Sequence, residues 1–364
     1  MARIKIATFN IEWMISLFGG DWNAWNGTIP ATFPGKSLGG IRLAPIADVP
    51  ALCRRIAGVI RAVEPEILAV QEGPPRKDQM ELFVREYLDD DFVVHSSNAR
   101  SQSLHVLVQK SLSDRVSSFS HDGPETLALR SAIPFYPWGS IRDEDQNKHK
   151  FDRRPLVLTL ESPTGERLRI INVHTKSKFS KLKRPEQWYE RDPEAIADAL
   201  LARQKLSAEI TRLREYIVGD LRPGVDSPSA CLVLGDFNDG AYAELMEREF
   251  LIHNIIDELV GSILDPDTVF RHAMSPEVIS QSGTVSFPDP LEGGRIVEEL
   301  IDHILISSGL WHPGGVLQSR GELVQGRDGR FRAIRCIGRR QAPGGPTERP
   351  SSRVGGDRVR RSDG

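Results

Sequence analysis

The sequence predicts an α/β protein built on mixed β-sheets, and two features carry that expectation. Apolar runs of strand length alternate with amphipathic helical segments along most of the chain, the pattern of layered α/β proteins. Two consecutive strands, Pro155 to Leu160 and Leu168 to His174, are separated by little more than Ser162-Pro163-Thr164-Gly165, a turn that closes an antiparallel hairpin. At 364 residues the chain can bury a large core. Its polar motifs run from residue 10 to residue 303 with no linker-like gap, so a single domain over residues 1–310 is expected.

Taken in order, Arg3 to Phe9 alternates as a strand and delivers Asn10 and Glu12 at its end. Phe18 to Pro45 is rich in Gly, Trp and Pro, too irregular for a helix and too apolar for a simple linker, which predicts a structureless functional loop. Trp13, Trp22 and Trp25 suit either stacking on a substrate or capping the core. Asp48 to Val63 carries Val49, Leu52, Ile56, Val59, Ile60 and Val63 at helical spacing. A strand over Glu66 to Val70 ends in Gln71-Glu72-Gly73, and a helix from Lys77 to Leu88 leads to strands at Phe92 to His95 and His105 to Val108. After the hairpin come the basic stretch Lys176 to Arg184, a long helix from Pro193 to Ile217, a helix over Tyr242 to Phe250, and a strand from Leu300 to Ile306.

The run Leu232-Val233-Leu234-Gly235-Asp236-Phe237-Asn238-Asp239 is the most informative. It reads as a strand covered on both faces that ends in polar groups, where open α/β sheets place ligands. Alternation puts Asp236 and Asn238 on one side of the backbone. A carboxylate there can orient or deprotonate water, and a carboxamide can donate to an oxyanion. Four further strand ends repeat the arrangement: Asn10 with Glu12, Glu72, Asn172 with His174, and Asp302 with His303. Each alone is compatible with a surface turn. Five together predict a site for a hard cation such as Mg²⁺ or Mn²⁺, which takes oxygen ligands. His303 is expected to be buried by the other face of its strand.

Charge and cysteine usage narrow the class. A net charge of -3 excludes a bulk polycation, so a nucleic-acid partner would have to be met by local basic patches or metal ions. Cys53, Cys231 and Cys336 are isolated and show no paired spacing, which argues against a disulfide framework or a zinc site. The first residues alternate like a strand and lack the pattern of a signal peptide, and no run reaches the roughly 20 apolar residues a membrane span needs. A cytoplasmic protein without a membrane partner is expected. Residues 311–334 read as an extension of the domain, and 335–364 as an Arg/Gly/Pro-rich tail too poor in apolar groups to order itself.

Phe9-Asn10-Ile11-Glu12, Leu68-Ala69-Val70-Gln71-Glu72, Ile171-Asn172-Val173-His174, Gly235-Asp236-Phe237-Asn238 and Ile301-Asp302-His303-Ile304-Leu305 resemble, in order, the successive signatures of the endonuclease/exonuclease/phosphatase superfamily, the fold of deoxyribonuclease I. The resemblance covers about residues 3 to 310. It implies a four-layer α/β/β/α sandwich of two mixed sheets and divalent-metal-dependent hydrolysis of phosphate esters. Carried over by position, Glu72 is the principal metal ligand, assisted by Asn10 and Glu12. Asp236 orients the attacking water, and Asn238 holds it or a phosphoryl oxygen. Arg153 matches a phosphate-contacting Arg-x-Pro position, with Arg154 a close competitor, and Asp302 orients a catalytic side chain from behind. His174 is a proton donor or transition-state stabiliser, roles that its ordinary pKa near 6.5 would allow. Family members usually finish with a Ser-Asp-His motif and a last core strand, whereas here Ser362-Asp363 is followed by Gly364. The composition before it is what a frameshifted reading of GC-rich coding sequence would give, and loss of the motif's histidine implies reduced activity.

His174-Thr175-Lys176-Ser177-Lys178 is similar to the His-Leu-Lys-Ser-Lys pattern of bacterial nuclease-like members. It points to DNA or RNA as the substrate, with Asn172, Lys176 and Lys178 contacting it and Trp22 and Trp25 stacking on bases. A basic run that is only a solvated loop is the bland alternative. Two other functions fit less well: a phosphoesterase of a small molecule or lipid headgroup, and a non-catalytic homologue that binds nucleic acid without turnover.

Overall fold

The computed structural model describes residues 3–21, 23–38, 41–97, 99, 101–120, 129, 131–136, 142–178, 184–221, 230–240, 247, 249, 254–281, 283–289, 294–311, 317–325 and 332–340. Two six-stranded sheets form its centre. The first contains β1 (Arg3–Asn10), β4 (Ile67–Gly73), β5 (Phe92–Ser96), β6 (Ser103–Gln109), β17 (Leu317–Gln325) and β18 (Arg332–Arg340), in the order β17-β18-β1-β4-β6-β5. The second contains β7 (Val116–Ser120), β10 (Leu156–Glu161), β11 (Arg167–His174), β12 (Ala230–Asp236), β13 (Phe270–His272) and β16 (Asp302–Ser307), in the order β13-β16-β12-β11-β10-β7. Three small hairpins complete the strands: β2 (Lys36–Leu38) with β3 (Ile41–Leu43), β8 (Ile133–Phe135) with β9 (Asn147–His149), and β14 (Val285–Asp289) with β15 (Arg295–Glu299).

Alternation along the central strands explains why these sheets pack face to face. Ile6 of β1, Ile67 and Ala69 of β4, Ile170 of β11, Leu232 and Leu234 of β12, and Ile304 of β16 meet in one core between the sheets. Their sequence neighbours point outward. Ala7, Phe9, Leu68 and Val70 pack under α1 (Val49–Val63) and α2 (Lys77–Tyr87). Ile171, Val173, Cys231 and Val233 pack under the long helix α4 (Pro193–Leu221) and the short α5 (Ile255–Val260), while α3 (Pro185–Tyr189) precedes α4. The result is the four-layer α/β/β/α sandwich that the family resemblance implied. The N-terminus of α1 is fixed where the sequence marks it, with Asp48 accepting the Ala51 amide at 2.8 Å.

Each sheet has one parallel pair at its centre, and this places the site. β1 runs parallel to β4 with Asn10 opposite Gln71, and β11 runs parallel to β12 with His174 opposite Asp236. The carboxyl ends of all four strands therefore open at the same edge of the sandwich. β16 lies antiparallel to β12, so its first residue, Asp302, sits opposite Asp236 at that edge.

Two expectations need correction. Phe18 to Pro45 is not wholly irregular: β2 pairs with β3, and a bridge joins Phe33 to Ile46, with the Phe33 ring buried as their anchor. The boundary placed at residue 335 falls inside β18, which pairs with β1 from Arg3↔Arg339 to Thr8↔Ile334. The unsatisfied backbone edge of β1 offers that segment a hydrogen-bonding partner that composition does not reveal. Residues 341–364, including Ser362 and Asp363, lie outside the described residues, as do Trp22 and most of the helix expected over Tyr242 to Phe250. Among the described residues, no helix is long and apolar enough to cross a membrane.

Candidate metal centre and active site

Glu72 reaches the edge through an irregularity in β4. The register of β4 against β6 shifts between Val70 and Gly73, and Glu72 adopts a left-handed backbone with φ 53°. Gly73 is required beside it, because a Cβ there would run into the buried His105 ring. The Glu72 carboxylate accepts the Trp13 amide at 2.9 Å through Oε2, and Asn10 Nδ2 lies 3.4 Å from its Oε1.

Asn10 also donates to Asp236 Oδ2 at 2.8 Å, so one carboxamide ties the two carboxylates across the two sheets. Asp236 Oδ1 accepts the Asn238 amide at 2.8 Å, an Asx turn in which Asn238 takes φ 52°. His174 Nε2 lies 3.4 Å from Asp236 Oδ2 and 3.9 Å from Glu72 Oε1. Ligand atoms of Glu72, His174 and Asp236 all fall within 4.8 Å of one another, and this is a group that could hold a metal ion. The donor set suits a hard divalent cation: two carboxylates and an imidazole, with the free thiols of Cys53 and Cys231 buried elsewhere. Such a cation would be held by Glu72 and Asp236 with His174 beside them.

The electrostatics follow from crowding. Burial raises the Asp236 carboxyl to about 6, with the Glu72 charge adding to the rise and the Asn238 amide opposing it. Asp302 is pushed well above the ordinary carboxylate range by burial and then by Asp236. Glu12, expected as a metal ligand, stays exposed outside the group of Glu72, His174 and Asp236, and partial desolvation followed by the charge of Glu72 raises its carboxyl. These acids repel one another in the absence of a cation. His174 moves the other way: burial, then Arg153 and Lys176, depress it well below its ordinary value. It is thus a neutral imidazole near pH 7, a hydrogen-bond donor or ligand rather than a charged acid.

The remaining expected site residues divide into those at the edge and those that support it. Asn238 Nδ2 donates to the Thr175 carbonyl at 3.0 Å. Asp302 is held by the Thr284 hydroxyl on its backbone amide, and its Oδ1 is buried without a hydrogen-bond partner among the described residues. Lys176 stays half-exposed, 3.8 Å from Asp152. Arg153, expected to contact phosphate, instead directs its guanidinium at the His174 carbonyl (3.1 Å), the Thr175 carbonyl and Gln102 (2.8 Å). Asn172 is fully buried, accepting from Gln71 at 2.7 Å and donating to the Val70 and His105 carbonyls. It clamps one sheet to the other below the site and does not reach a substrate. Lys178 is also internal, with Nζ 2.8 Å from Asp239 and 2.5 Å from Glu299. Trp25 packs on the helix-side core, edge-on to Phe18 and with Arg76 above its ring, while Nε1 donates to the Thr28 carbonyl. His303 is buried as expected, bonded to the Asp239 carbonyl at 2.8 Å.

Sequence reading passed over Asp239, Thr175 and Glu209. Asp239 accepts from Lys178 and caps the Ile255 amide at 3.1 Å. Thr175 donates to the Asp236 and Phe237 carbonyls. Glu209 was visible as an acid inside the apolar stripe Leu206, Ile210 and Leu213 of α4.

The layering, the single parallel pair in each sheet and the acidic cluster at the strand ends define a sandwich of the deoxyribonuclease I type with a candidate metal centre. AP endonuclease LMAP from Leishmania major has this fold: at 13% identity it superposes with a TM-score of 0.50, covering 93% of this chain and 88% of its own. Further likenesses are to TDP2 from C. elegans (14% identity, TM-score 0.46, 92% of this chain and 75% of that one) and to ANGEL2, a 2',3'-cyclic phosphatase (11%, 0.43, 92% and 95%). No protein-family profile and no curated protein sequence matches the chain.

Proposed function

We propose that this protein is a divalent-metal-dependent phosphodiesterase, a nuclease that hydrolyses DNA or RNA by attack of water. The observation that carries the reading is the convergence of Glu72, Asp236 and His174 within 4.8 Å at the sheet edge, with Asn10 bridging the two carboxylates. Mg²⁺ or Mn²⁺ bound there would neutralise phosphate oxygens and lower the pKa of water. Asp236 would orient the attacking water from its place beside Glu72 and His174. Asn238, anchored through its backbone amide to Asp236, would steady that water or a phosphoryl oxygen. Neutral His174 would donate a hydrogen bond to an oxygen of the transition state. Half-exposed Lys176 lies two residues after His174, and backbone phosphates are its proposed contact. The fold is shared with an AP endonuclease, which agrees with a nucleic-acid substrate. The action is proposed to be cytoplasmic, in keeping with two unpaired cysteines.

The test is incubation with supercoiled plasmid and with single-stranded DNA and RNA oligonucleotides in Mg²⁺, Mn²⁺ and chelator, beside Asp236→Asn. Metal-dependent cleavage that falls on the order of 10²- to 10⁴-fold in the variant is expected. Cleavage that survives chelation or the substitution would refute the reading. A second reading, binding without turnover, is favoured by Asp302 Oδ1, which is buried and has no hydrogen-bond partner to orient among the described residues. It predicts oligonucleotide binding with no cleavage under any metal.

A further inference from the structure

We propose that Glu209, on helix α4 outside the metal centre, is a positioning residue for the reaction. It would fix the peptide units at 174–176, on which Asn238 and Arg153 hang. The inference rests on the phosphodiesterase reading above. Glu209 is almost fully buried, and both of its oxygens are engaged: Oε1 lies 2.7 Å from His149 Nε2, and Oε2 accepts the Lys176 amide at 2.7 Å. The peptide that donates to it carries the Thr175 carbonyl, which accepts Asn238 Nδ2 at 3.0 Å and the Arg153 guanidinium. One residue earlier, the His174 carbonyl accepts Arg153 Nε at 3.1 Å. The Thr175 amide donates to the Asp236 carbonyl at 3.0 Å.

A single carboxylate thus links three parts of the fold: the long helix, the β8–β9 hairpin through His149, and the segment after β11 that meets both Asp236 and Asn238. A helix side chain buried to this degree is a rigid support. Burial raises the Glu209 carboxyl above its ordinary value, while the bonds from His149 and the Lys176 amide and the charge of Arg153 oppose that rise. Without it, the part-buried Lys176 amide loses its acceptor, and the segment can relax away from the position that aligns the Asn238 amide. Misplacement of about 1 Å at such a group is enough to cost on the order of 100-fold in rate.

The experiment compares Glu209→Ala, Glu209→Gln and His149→Gln with the wild type in three readouts: kcat and KM on an oligonucleotide, Mn²⁺ affinity by titration, and hydrogen–deuterium exchange of the peptide spanning 172–178. Glu209→Ala is expected to lower kcat on the order of 10- to 100-fold and to speed exchange of that peptide, with KM and Mn²⁺ affinity within about twofold. Glu209→Gln keeps an acceptor for the Lys176 amide and is expected to restore slow exchange and most of kcat. His149→Gln leaves that bond in place and is expected to resemble it. Unchanged kcat and exchange in Glu209→Ala overturn the proposal, as does loss of Mn²⁺ affinity matching the loss of rate. If Glu209→Ala does not fold, a Glu209→Gln variant that folds yet exchanges fast at 172–178 overturns it. A wild type that binds Mn²⁺ but cleaves nothing defeats the phosphodiesterase reading, and exchange alone then decides whether Glu209 holds the segment.

Discussion

Replacing Gly235 with alanine tests how the two central strands of the second sheet bring His174 and Asp236 together. Gly235 immediately precedes Asp236, pairs with Val173 on one side and with His303 on the other, and has φ 137°, a backbone that an L side chain rarely adopts. A Cβ at this position falls deep inside the contact distance of the Val173 carbonyl oxygen, and lies only 3.0 Å from the Val173 carbonyl carbon and 3.1 Å from its nitrogen. These are backbone atoms in the middle of a parallel pair, so no rotamer change relieves the overlap. The conformational penalty is about 1–3 kcal/mol and the overpacking penalty about 1–3 kcal/mol, together roughly 2–6 kcal/mol. That is a large part of the ~5–15 kcal/mol that typically separates folded from unfolded states. Urea unfolding followed by circular dichroism is the assay. With a slope of about 3 kcal/mol/M, the midpoint should fall by about 0.7 to 2 M. Gly58→Ala is the control, an exposed position inside α1 where an added Cβ meets nothing within 4 Å. It should be stabilising by about 0.5–1 kcal/mol. A loss under about 1 kcal/mol for Gly235→Ala would show that β11 and β12 can part cheaply and would refute the reasoning.

Three further outcomes are expected. Lys178→Met leaves Asp239 and Glu299 buried without the ammonium between them, so it should destabilise by about 3–5 kcal/mol in thermal unfolding; a change confined to KM for an oligonucleotide would restore Lys178 to the substrate rim. Asn172→Ala strips partners from Gln71 and from the Val70 and His105 carbonyls and should cost about 2–4 kcal/mol, whereas full stability with weakened substrate binding would contradict the clamp. In chelator, stability should carry a contribution from Asp236 that falls as pH rises from about 4 to about 6, because the folded chain keeps a proton that the unfolded chain has released. His105, lowered to about 4 by burial, acts with the opposite sign as the pH rises toward 6.5, so the Asp236 contribution is read as the difference between wild type and Asp236→Asn. A pH-independent difference between the two proteins would disprove it.

Much of the architecture is legible in the sequence because it rests on short-range patterns. The strand ends at Asn10, Glu72, His174 and Asp236 follow directly from apolar runs that stop at polar residues, and Asp48 announces the start of α1. The chemistry of individual side chains is less legible wherever the deciding partner is distant. Lys178 reads as a surface cation until Asp239 and Glu299, 61 and 121 residues further on, close around it. Asn172 reads as a site residue because it alternates with His174, yet its partners Gln71 and His105 belong to the opposite sheet. Arg153 carries the right charge for phosphate, but the carbonyls it grips become available only once β11 has docked. In each case sequence reports the residue type, while tertiary contacts decide whether its charge faces solvent or structure.

The pairing of β1 with β18 also has a temporal side. Arg3 and Arg339 face one another although they come from nearly opposite ends of the chain. At a synthesis rate of about 5–20 residues per second, roughly 17 to 67 s separate the emergence of the two strands from the ribosome. Throughout that interval one edge of β1 has no native neighbour and is open to pairing with strands of other nascent chains. The strand that ends in Asn10 is therefore the place where crowding during translation, or a chaperone that shields extended segments, should most affect the yield of folded protein.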